Sequence, residues 1–233
     1  MRGARKAIFC VLLCVSASPV VNAQTIRPVL SEYRGEAAGT FELVNNSFLP
    51  VNVVLEPRSF NVSETGEITY GPLDPAVHVK FASRSFQIAP KQSYVAAYRA
   101  KADKLPAWFV VYATMSGFPQ RTSTGLAIAV QLPHTVYILP KKDATKQEVH
   151  VAKAVFDAQT KIVSVELESS SQNFTRVNET EIIAGKKKIS GPGFPLYPGK
   201  SRKLDVAWKE DGVPDRVVFH VRGFNIEAPI SNQ

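Results

Sequence analysis

The chain has 233 residues, of which 45% are apolar, and its 28 Lys and Arg against 20 Asp and Glu give a formal net charge of +8. This composition is typical of a globular protein and excludes wholesale disorder, a collagen-like chain and a coiled coil. The longest apolar runs are well short of the roughly 20 residues that cross a bilayer. The only cysteines, Cys10 and Cys14, leave no disulfide framework and no zinc site in the body of the chain.

The N-terminus has the pattern of a secretory signal peptide. Arg2, Arg5 and Lys6 precede the apolar stretch 7–15, and the segment 21–23 ends on the small residue Ala23. A short core helix is the alternative interpretation. We expect cleavage after Ala23, which removes both cysteines and three positive charges. The mature chain is then an exported protein that depends on its apolar core for stability.

The body of the chain is predicted to consist of β-strands. Short β-branched or aromatic segments, several of them alternating with period two, are separated by Asn, Gly, Pro and Ser at the intervals of an all-β sandwich. No stretch has helical periodicity with caps. The clearest predicted strands are 40–44, 51–55, 77–81, 108–112, 126–130, 161–167, 181–183, 203–208 and 216–221.

The sequence indicates two domains of related design. The polar, Pro-led segment 141–146 is a predicted linker between an N-terminal domain, 24–140, and a C-terminal domain, 147–233. The segment 41–47 is echoed by 165–171, and 86–93 by 194–201, in the same order. We interpret these echoes as two tandem immunoglobulin-like β-sandwiches, with chance similarity of turn residues as the alternative.

The sequence contains no convincing catalytic or cofactor motif. The segment 193–201 has the wrong spacing for a phosphate loop, and Pro195 and Pro198 remove amides that would bind phosphate. There is no GxSxG elbow. The basic residues are spread along the chain, which does not favour nucleic-acid binding. We therefore predict no enzyme, cofactor or metal site, and a structural or surface role for His78, His134, His150 and His220.

One predicted strand has an unusually regular apolar face. Alternation places four large apolar side chains on one side of it: Leu126, Ile128, Val130 and Leu132. In one interpretation this row packs in the core of its own domain. In the other, the row belongs to an exposed edge that pairs with an extended partner. Periodicity alone does not choose between the two.

The order of these segments resembles that of the periplasmic pilus-assembly chaperones. The resemblance is carried by 41–51, 86–93, 108–112 and 126–140, and it covers most of the N-terminal domain. The C-terminal domain matches through 169–171 and 198–208. The resemblance implies two immunoglobulin-like domains that meet in a boomerang. It also implies a G1 strand that donates alternating apolar residues to a pilin subunit lacking its last strand.

Carried to this chain, the resemblance makes Leu126, Ile128, Val130 and Leu132 the subunit-binding residues. It implies a periplasmic location, pilin-like or other exported subunits as partners bound by β-augmentation, and an outer-membrane usher. In the family, a cleft Arg and a cleft Lys hold the terminal carboxylate of the subunit. Arg27 takes the place of the Arg, whereas Thr135 stands where the family has Lys and supplies only a neutral hydrogen bond.

Two further possibilities stay open at the level of sequence. An exposed strand edge could also pair with a second copy of the chain and form a self-dimer. A different class of function is a tandem immunoglobulin-like structural, adhesion or envelope-binding module in which the row 126–132 is merely core. Burial and edge pairing of this strand distinguish that module from a chaperone.

Overall fold

The computed structural model describes residues 24–117 and 128–232. The predicted signal peptide, 1–23, and Leu126 of the predicted apolar row lie outside the described residues. Within the described ranges, no helix combines the length and the hydropathy required to cross a membrane.

The described part of the N-terminal domain is built from strands whose buried residues alternate with exposed ones. In β3, for example, Phe41 and Leu43 are buried and Glu42 between them is not. The strands are β1 Thr25–Arg27, β2 Leu30–Arg34, β3 Ala37–Val44, β4 Val51–Val62, β5 Ile68–Gly71, β6 Val77–Phe81, β7 Ser85–Ile88, β8 Ser93–Ala102, β9 Ala107–Ser116 and β10 Ala129–Leu139.

These strands form two packed sheets. One has the order β1-β3-β8-β6, and the other has the order β2-β10-β9-β4-β5, with β7 also paired to β4. The large side chains of Phe41, Leu43, Phe109, Met115 and Ile138 fill the space between the sheets. The chain crosses from one sheet to the other between β1 and β2, which places β2 parallel to the second half of β10.

The C-terminal domain repeats this construction. After a 3₁₀ helix, Lys146–Glu148, two further sheets have the orders β15-β12-β11-β18 and β14-β13-β16-β17. Trp208, Leu167 and Phe219 are at the centre of its core. The strands are β11 Val149–Asp157, β12 Ile162–Ser169, β13 Thr175–Ala184, β14 Lys187–Leu196, β15 Ser201–Ala207, β16 Arg216–Val221, β17 Phe224–Pro229 and β18 Ser231–Asn232.

The predicted fold class, all-β with two tandem immunoglobulin-like sandwiches, is confirmed. The sequence echoes also have a structural counterpart. In the first domain Val44 of β3 pairs with Ser93 of β8, and in the second Glu168 of β12 pairs with Ser201 of β15. The echoed segments 86–93 and 194–201 therefore end where equivalent strands, β8 and β15, begin in the two domains.

An aromatic cluster joins the two domains. Tyr137 of β10 packs on Phe174 with ring centroids 4.8 Å apart, and its hydroxyl lies 3.1 Å from that of Tyr197. Trp108 of β9 packs against Tyr197 with ring centroids 4.6 Å apart and the rings tilted by 57°. Because Tyr137 and Tyr197 are buried, the C-terminal half of β10 is held between its own domain and the second one.

Ion pairs flank this aromatic cluster. Glu32 of β2 accepts hydrogen bonds from Arg176 Nε, at 2.8 Å, and from Arg222. Burial alone would raise the pKa of Glu32, but the hydrogen bonds and charges of Arg222 and Arg176 lower it overall. On the other side, the tip of the β4–β5 hairpin reaches β15, where Lys203 Nζ lies 2.6 Å from Glu64.

Candidate functional site: an open strand edge and an interdomain cleft

The two flanks of β10 are paired differently. On one flank β10 pairs with β9 along nearly its whole length, from Ala129 opposite Ser116 to Ile138 opposite Ala107. On the other flank, pairing with β2 begins only at Thr135, which lies opposite Leu30. In the described part of the chain, no strand pairs with this second flank of residues 129–134. These residues form an open edge.

The backbone groups that this edge presents can be assigned from the hydrogen bonds of the closed half. Thr135 N–H donates to Val29, and Leu139 C=O accepts from Gly35, so odd-numbered residues direct their backbone groups to the β2 side. In an antiparallel ladder alternate residues point to alternate flanks. Gln131 and Ala129 therefore direct N–H and C=O groups outwards, whereas Pro133 offers only a carbonyl oxygen. The open edge is a short template for an added strand.

The predicted apolar row changes from exposed to buried along this strand. Ile128 is 45% exposed, Val130 and Leu132 are half-buried, and Val136 and Ile138 are fully enclosed. Leu132 packs against the N-terminal core. The row therefore continues the core of its own domain towards the open edge, and Ile128 is the most exposed of its described members.

His134 lies where the open half of β10 meets the closed half. Its side chain is fully buried and stacks on Phe41 with ring centroids 4.8 Å apart. Its Nδ1 is 2.7 Å from the carbonyl oxygen of Pro28, and its Nε2 is 3.0 Å from the hydroxyl of Tyr98. Burial lowers the pKa of His134, against a smaller raising effect of the Pro28 carbonyl. His134 thus ties β10 to the β1–β2 crossover.

A cavity of about 220 Å³ lies between the domains, beside the closed half of β10. It is smaller than the pockets that hold drug-sized ligands. Thr135 and Tyr137 line it from β10, and the β4–β5 hairpin forms another wall through Ile68 and Tyr70. The second domain contributes Arg176, Tyr197 and Arg202.

Only one of the two cavity arginines has a carboxylate partner among the described residues. Arg176 is paired with Glu32. The guanidinium of Arg202 lies over the ring of Phe194 at 5.7 Å, and its buried Nε has no hydrogen-bond partner in the described part of the chain. Burial lowers the pKa of Arg202. The Arg202 side chain packs so closely over Gly66 that a Cβ atom at that glycine would collide with it.

The structure does not bring Arg27 and Thr135 into one site. Arg27 lies on β1 opposite Glu42, in the sheet across the sandwich, and is exposed. Since its neighbour Ile26 points into the core, alternation turns Arg27 outwards. Thr135 lines the interdomain cavity, where its register neighbour is Leu30. Sequence reasoning missed Arg202, because nothing in the linear pattern brings β15 of the second domain next to β10.

Sequence reasoning also missed a cross-strand cluster in the second domain. His220, predicted to have a structural or surface role, lies opposite Glu179 on the adjacent strand. Potential ligand atoms of Glu179, Glu181 and His220 are all within 4.8 Å of one another. Lys188 Nζ is 2.5 Å from Glu181 and, with His220, lowers the pKa of that carboxyl. The Lys188 ammonium balances one of the two carboxylates, so the cluster is part of an ion network between β13, β14 and β16.

The two-domain fold is that of solved fimbrial chaperones. A chain of the Salmonella enterica complex of the SafA pilin with the SafB chaperone superposes with a TM-score of 0.56 at 10% identity, and the match covers 91% of this chain and 98% of that chain. The class 5 fimbriae chaperone CfaA gives 0.54 at 11% identity, covering 89% and 99%. The YadV chaperone gives 0.54 at 12% identity, covering 88% and 98%.

The sequence comparisons add nothing to this likeness. No family model matches the chain, and no curated protein sequence matches it. At identities of 10 to 12%, the structural likeness establishes the fold and leaves the function to be argued from the site.

Proposed function

We propose that this protein is an exported, periplasmic chaperone that stabilises pilin-like or other exported subunits by donating the strand 126–132. The observation that carries the proposal is the open flank of residues 129–134, combined with an apolar row that becomes exposed along the same segment. Neither feature alone would indicate strand donation, because edge strands and partly exposed apolar residues are both common in β-sandwiches.

The physical basis is mutual completion of two sandwiches. A subunit that lacks its last strand exposes an unpaired edge and an apolar groove, and both promote aggregation. The outward backbone groups of Gln131 and Ala129 would pair with that edge. The side chains of Leu126, Ile128, Val130 and Leu132 would enter the groove. Full burial of an exposed side chain contributes about 1.5–3 kcal/mol, and the half-buried Val130 and Leu132 would gain less than this. Strand donation of this kind needs no cofactor and no bond-making chemistry.

The solved structures with this fold support the choice of partner. One of them is a chaperone in complex with a pilin, and another is a chaperone in complex with a tip adhesin. By analogy, the partner of this chain is an exported subunit of the same architecture, delivered in the periplasm to an outer-membrane usher. The predicted signal peptide agrees with this location.

The interdomain cleft would anchor the end of the subunit chain. A terminal carboxylate entering the cavity beside β10 would meet the hydroxyl of Thr135 and the guanidinium of Arg202, which has no carboxylate partner among the described residues. A charge-assisted hydrogen bond from Arg202 would replace the fixed positive charge that Thr135 does not supply. Arg27, the anchor implied by the family resemblance, is exposed and is not among the residues that line this cavity.

The strand-donation test uses the subunit found by mass spectrometry of whatever co-purifies with the native exported protein. The subunit is co-expressed with the wild type, with Ile128→Lys and with the control Ala129→Lys, which introduces the same charge on the opposite face of the strand. We expect at least a tenfold lower recovery of subunit with Ile128→Lys than with Ala129→Lys. Equal recovery with both would contradict donation through this face and would favour an envelope-binding module.

The anchor is tested with a peptide from the C-terminus of the same subunit, prepared as the free acid and as the amide. We expect the wild type to prefer the acid by about tenfold, in line with the value of a charge-assisted hydrogen bond. Arg202→Ala should remove this preference, Arg202→Lys should keep part of it, and Arg27→Ala should leave it unchanged. A preference that survives Arg202→Ala but disappears in Arg27→Ala would restore the assignment made from the sequence.

A further inference from the structure

We propose that His134 is a proton-sensitive latch that sets where the open edge of β10 ends. The latch joins three parts of the N-terminal domain: β10 itself, the β1–β2 crossover through the Pro28 carbonyl, and β8 through Tyr98. The inference concerns the free protein and goes beyond the proposed function, because the latch would exist whether or not a subunit binds.

The hydrogen bonds define the neutral form of the imidazole. A carbonyl oxygen only accepts, so Nδ1 must carry the proton that is donated to Pro28. The hydroxyl of Tyr98 lies 3.0 Å from Nε2 and can also donate to the hydroxyl of Tyr33, 3.1 Å away. In neutral His134, Nε2 is an acceptor and competes with Tyr33 for the single hydroxyl hydrogen of Tyr98. On protonation Nε2 becomes a donor to the Tyr98 oxygen, and the Tyr98 hydrogen stays on the bond to Tyr33.

The surroundings provide no negative charge to stabilise the protonated form. The titratable groups that face the imidazole are Tyr98 on β8 and Tyr33 on β2, and burial raises the pKa of Tyr98 so that it stays neutral. The facing side chains on β3 and β9 are Phe41 and Val111. Arg27 adjoins Pro28 and carries a positive charge. Among the described residues no carboxylate contacts the ring, so protonation would bury an unpaired cation.

Opening the latch relieves this cost and lengthens the edge. If the β1–β2 crossover moves away from β10, the hydrogen bond from Thr135 N–H to Val29 is lost and the flank beyond residue 134 is uncovered. The direction follows from proton linkage. His134 is neutral when closed, with a lowered pKa, and titrates near pH 6.5 when open, so the closed form loses stability as pH falls below about 6.5.

The test is amide exchange of Thr135 in the full-length mature protein, expressed as a protection factor so that the intrinsic pH dependence of exchange cancels. We expect protection to fall about tenfold between pH 7.5 and pH 5.5. In His134→Gln, which keeps an amide donor for Pro28 but does not titrate, protection should be independent of pH. In the control His78→Gln, at an exposed position, it should fall as in the wild type.

A second measurement keeps the inference testable if His134→Gln does not fold. The imidazole resonances of the wild type are followed by NMR from pH 8 to pH 5. We expect the His134 resonances to change only together with the loss of Thr135 protection. Ordinary titration of His134 with full protection retained would overturn the proposal, as would pH-independent protection in the wild type.

Discussion

The two halves of β10 share one alternating sequence pattern but have different surroundings. Residues 135–139 are paired on both flanks, with β9 and β2, and Val136 and Ile138 are fully buried. Within the described ranges, residues 129–134 pair with β9 alone, and the same face of the strand becomes gradually exposed towards Ile128. The inner half behaves as a core strand and the outer half as an edge strand.

This difference shows how one half of a strand can be fixed in the fold while the other half is available to pair with a partner strand. The inner half is fixed by the core, by β2 and by the aromatic contacts of Tyr137 with the second domain. The outer half is held in extended conformation by β9, so a partner need not pay the full entropy of ordering it. The boundary between the halves is set by the β1–β2 crossover, with Pro133 and His134 at the junction.

The largest expected effect is on the stability of the inner half. Ile138→Ala should lower the free energy of unfolding by about 2–5 kcal/mol because it creates a cavity in the core. The matched change in the outer half, Ile128→Ala, should lower it by less than about 0.5 kcal/mol because the side chain is 45% exposed. Denaturant unfolding of both variants measures the contrast. Similar losses would mean that the two halves are equally part of the core.

A smaller loss of stability is expected when the ion pairs between β2 and the second domain are removed. Glu32→Gln removes the charge that pairs with Arg176 and Arg222 and should destabilise the protein by about 1–3 kcal/mol at pH 7. Since the pKa of Glu32 is lowered in the folded state, its contribution is present above about pH 4.3 and is lost as pH falls further.

Thermal unfolding of the wild type and of Glu32→Gln at pH 7 and at pH 3 tests whether the Glu32 charge is responsible. The difference between the wild type and Glu32→Gln should shrink at the lower pH. A constant difference across this range would show that the Glu32 charge is not what joins β2 to the second domain. The pH range in which Glu32 loses its stabilising effect lies below the range in which protonation of His134 is expected to open the β1–β2 crossover. The two groups can therefore be distinguished in a single pH series.

The smallest effect concerns Pro133 at the junction. Pro133→Thr adds an N–H group to the open flank, which lengthens the row of donors available to another strand. We expect a several-fold increase in self-association, measured by sedimentation, with little change in stability. Gln131→Thr, which changes a neighbouring side chain but adds no backbone donor, is the control. Equal association in both variants would indicate that the open flank is not the dimerising surface.

Much of the fold could be predicted from the sequence, because alternation and turn residues act locally. The predicted strands 77–81 and 216–221 have the same limits in β6 and β16. The alternating row through Val130 and Leu132 was also visible. How far that row is buried was not, because burial depends on where β2 joins β10, and that is decided by the crossover at Pro28.

The cleft could not be predicted for a related reason. Arg202 comes to Thr135 through the contact of β15 with the β4–β5 hairpin, which is a contact between domains. The resemblance assigns the anchor to Arg27, which lies on β1 and is not among the residues that line the cavity. His220 and Glu179 are neighbours only through the pairing of β13 with β16. Each of these relations depends on tertiary pairing that a linear motif does not encode.

The central claim is that the outer flank of residues 129–134 is free in the isolated protein and paired in the complex. Amide exchange at Gln131 and Leu132, with and without the co-purifying subunit, tests it most directly. The account predicts that Leu132, whose N–H faces β9, is protected in both states, while Gln131 exchanges rapidly alone and at least tenfold more slowly in the complex. Strong protection of Gln131 in the free monomer, or no added protection in the complex, would contradict the account.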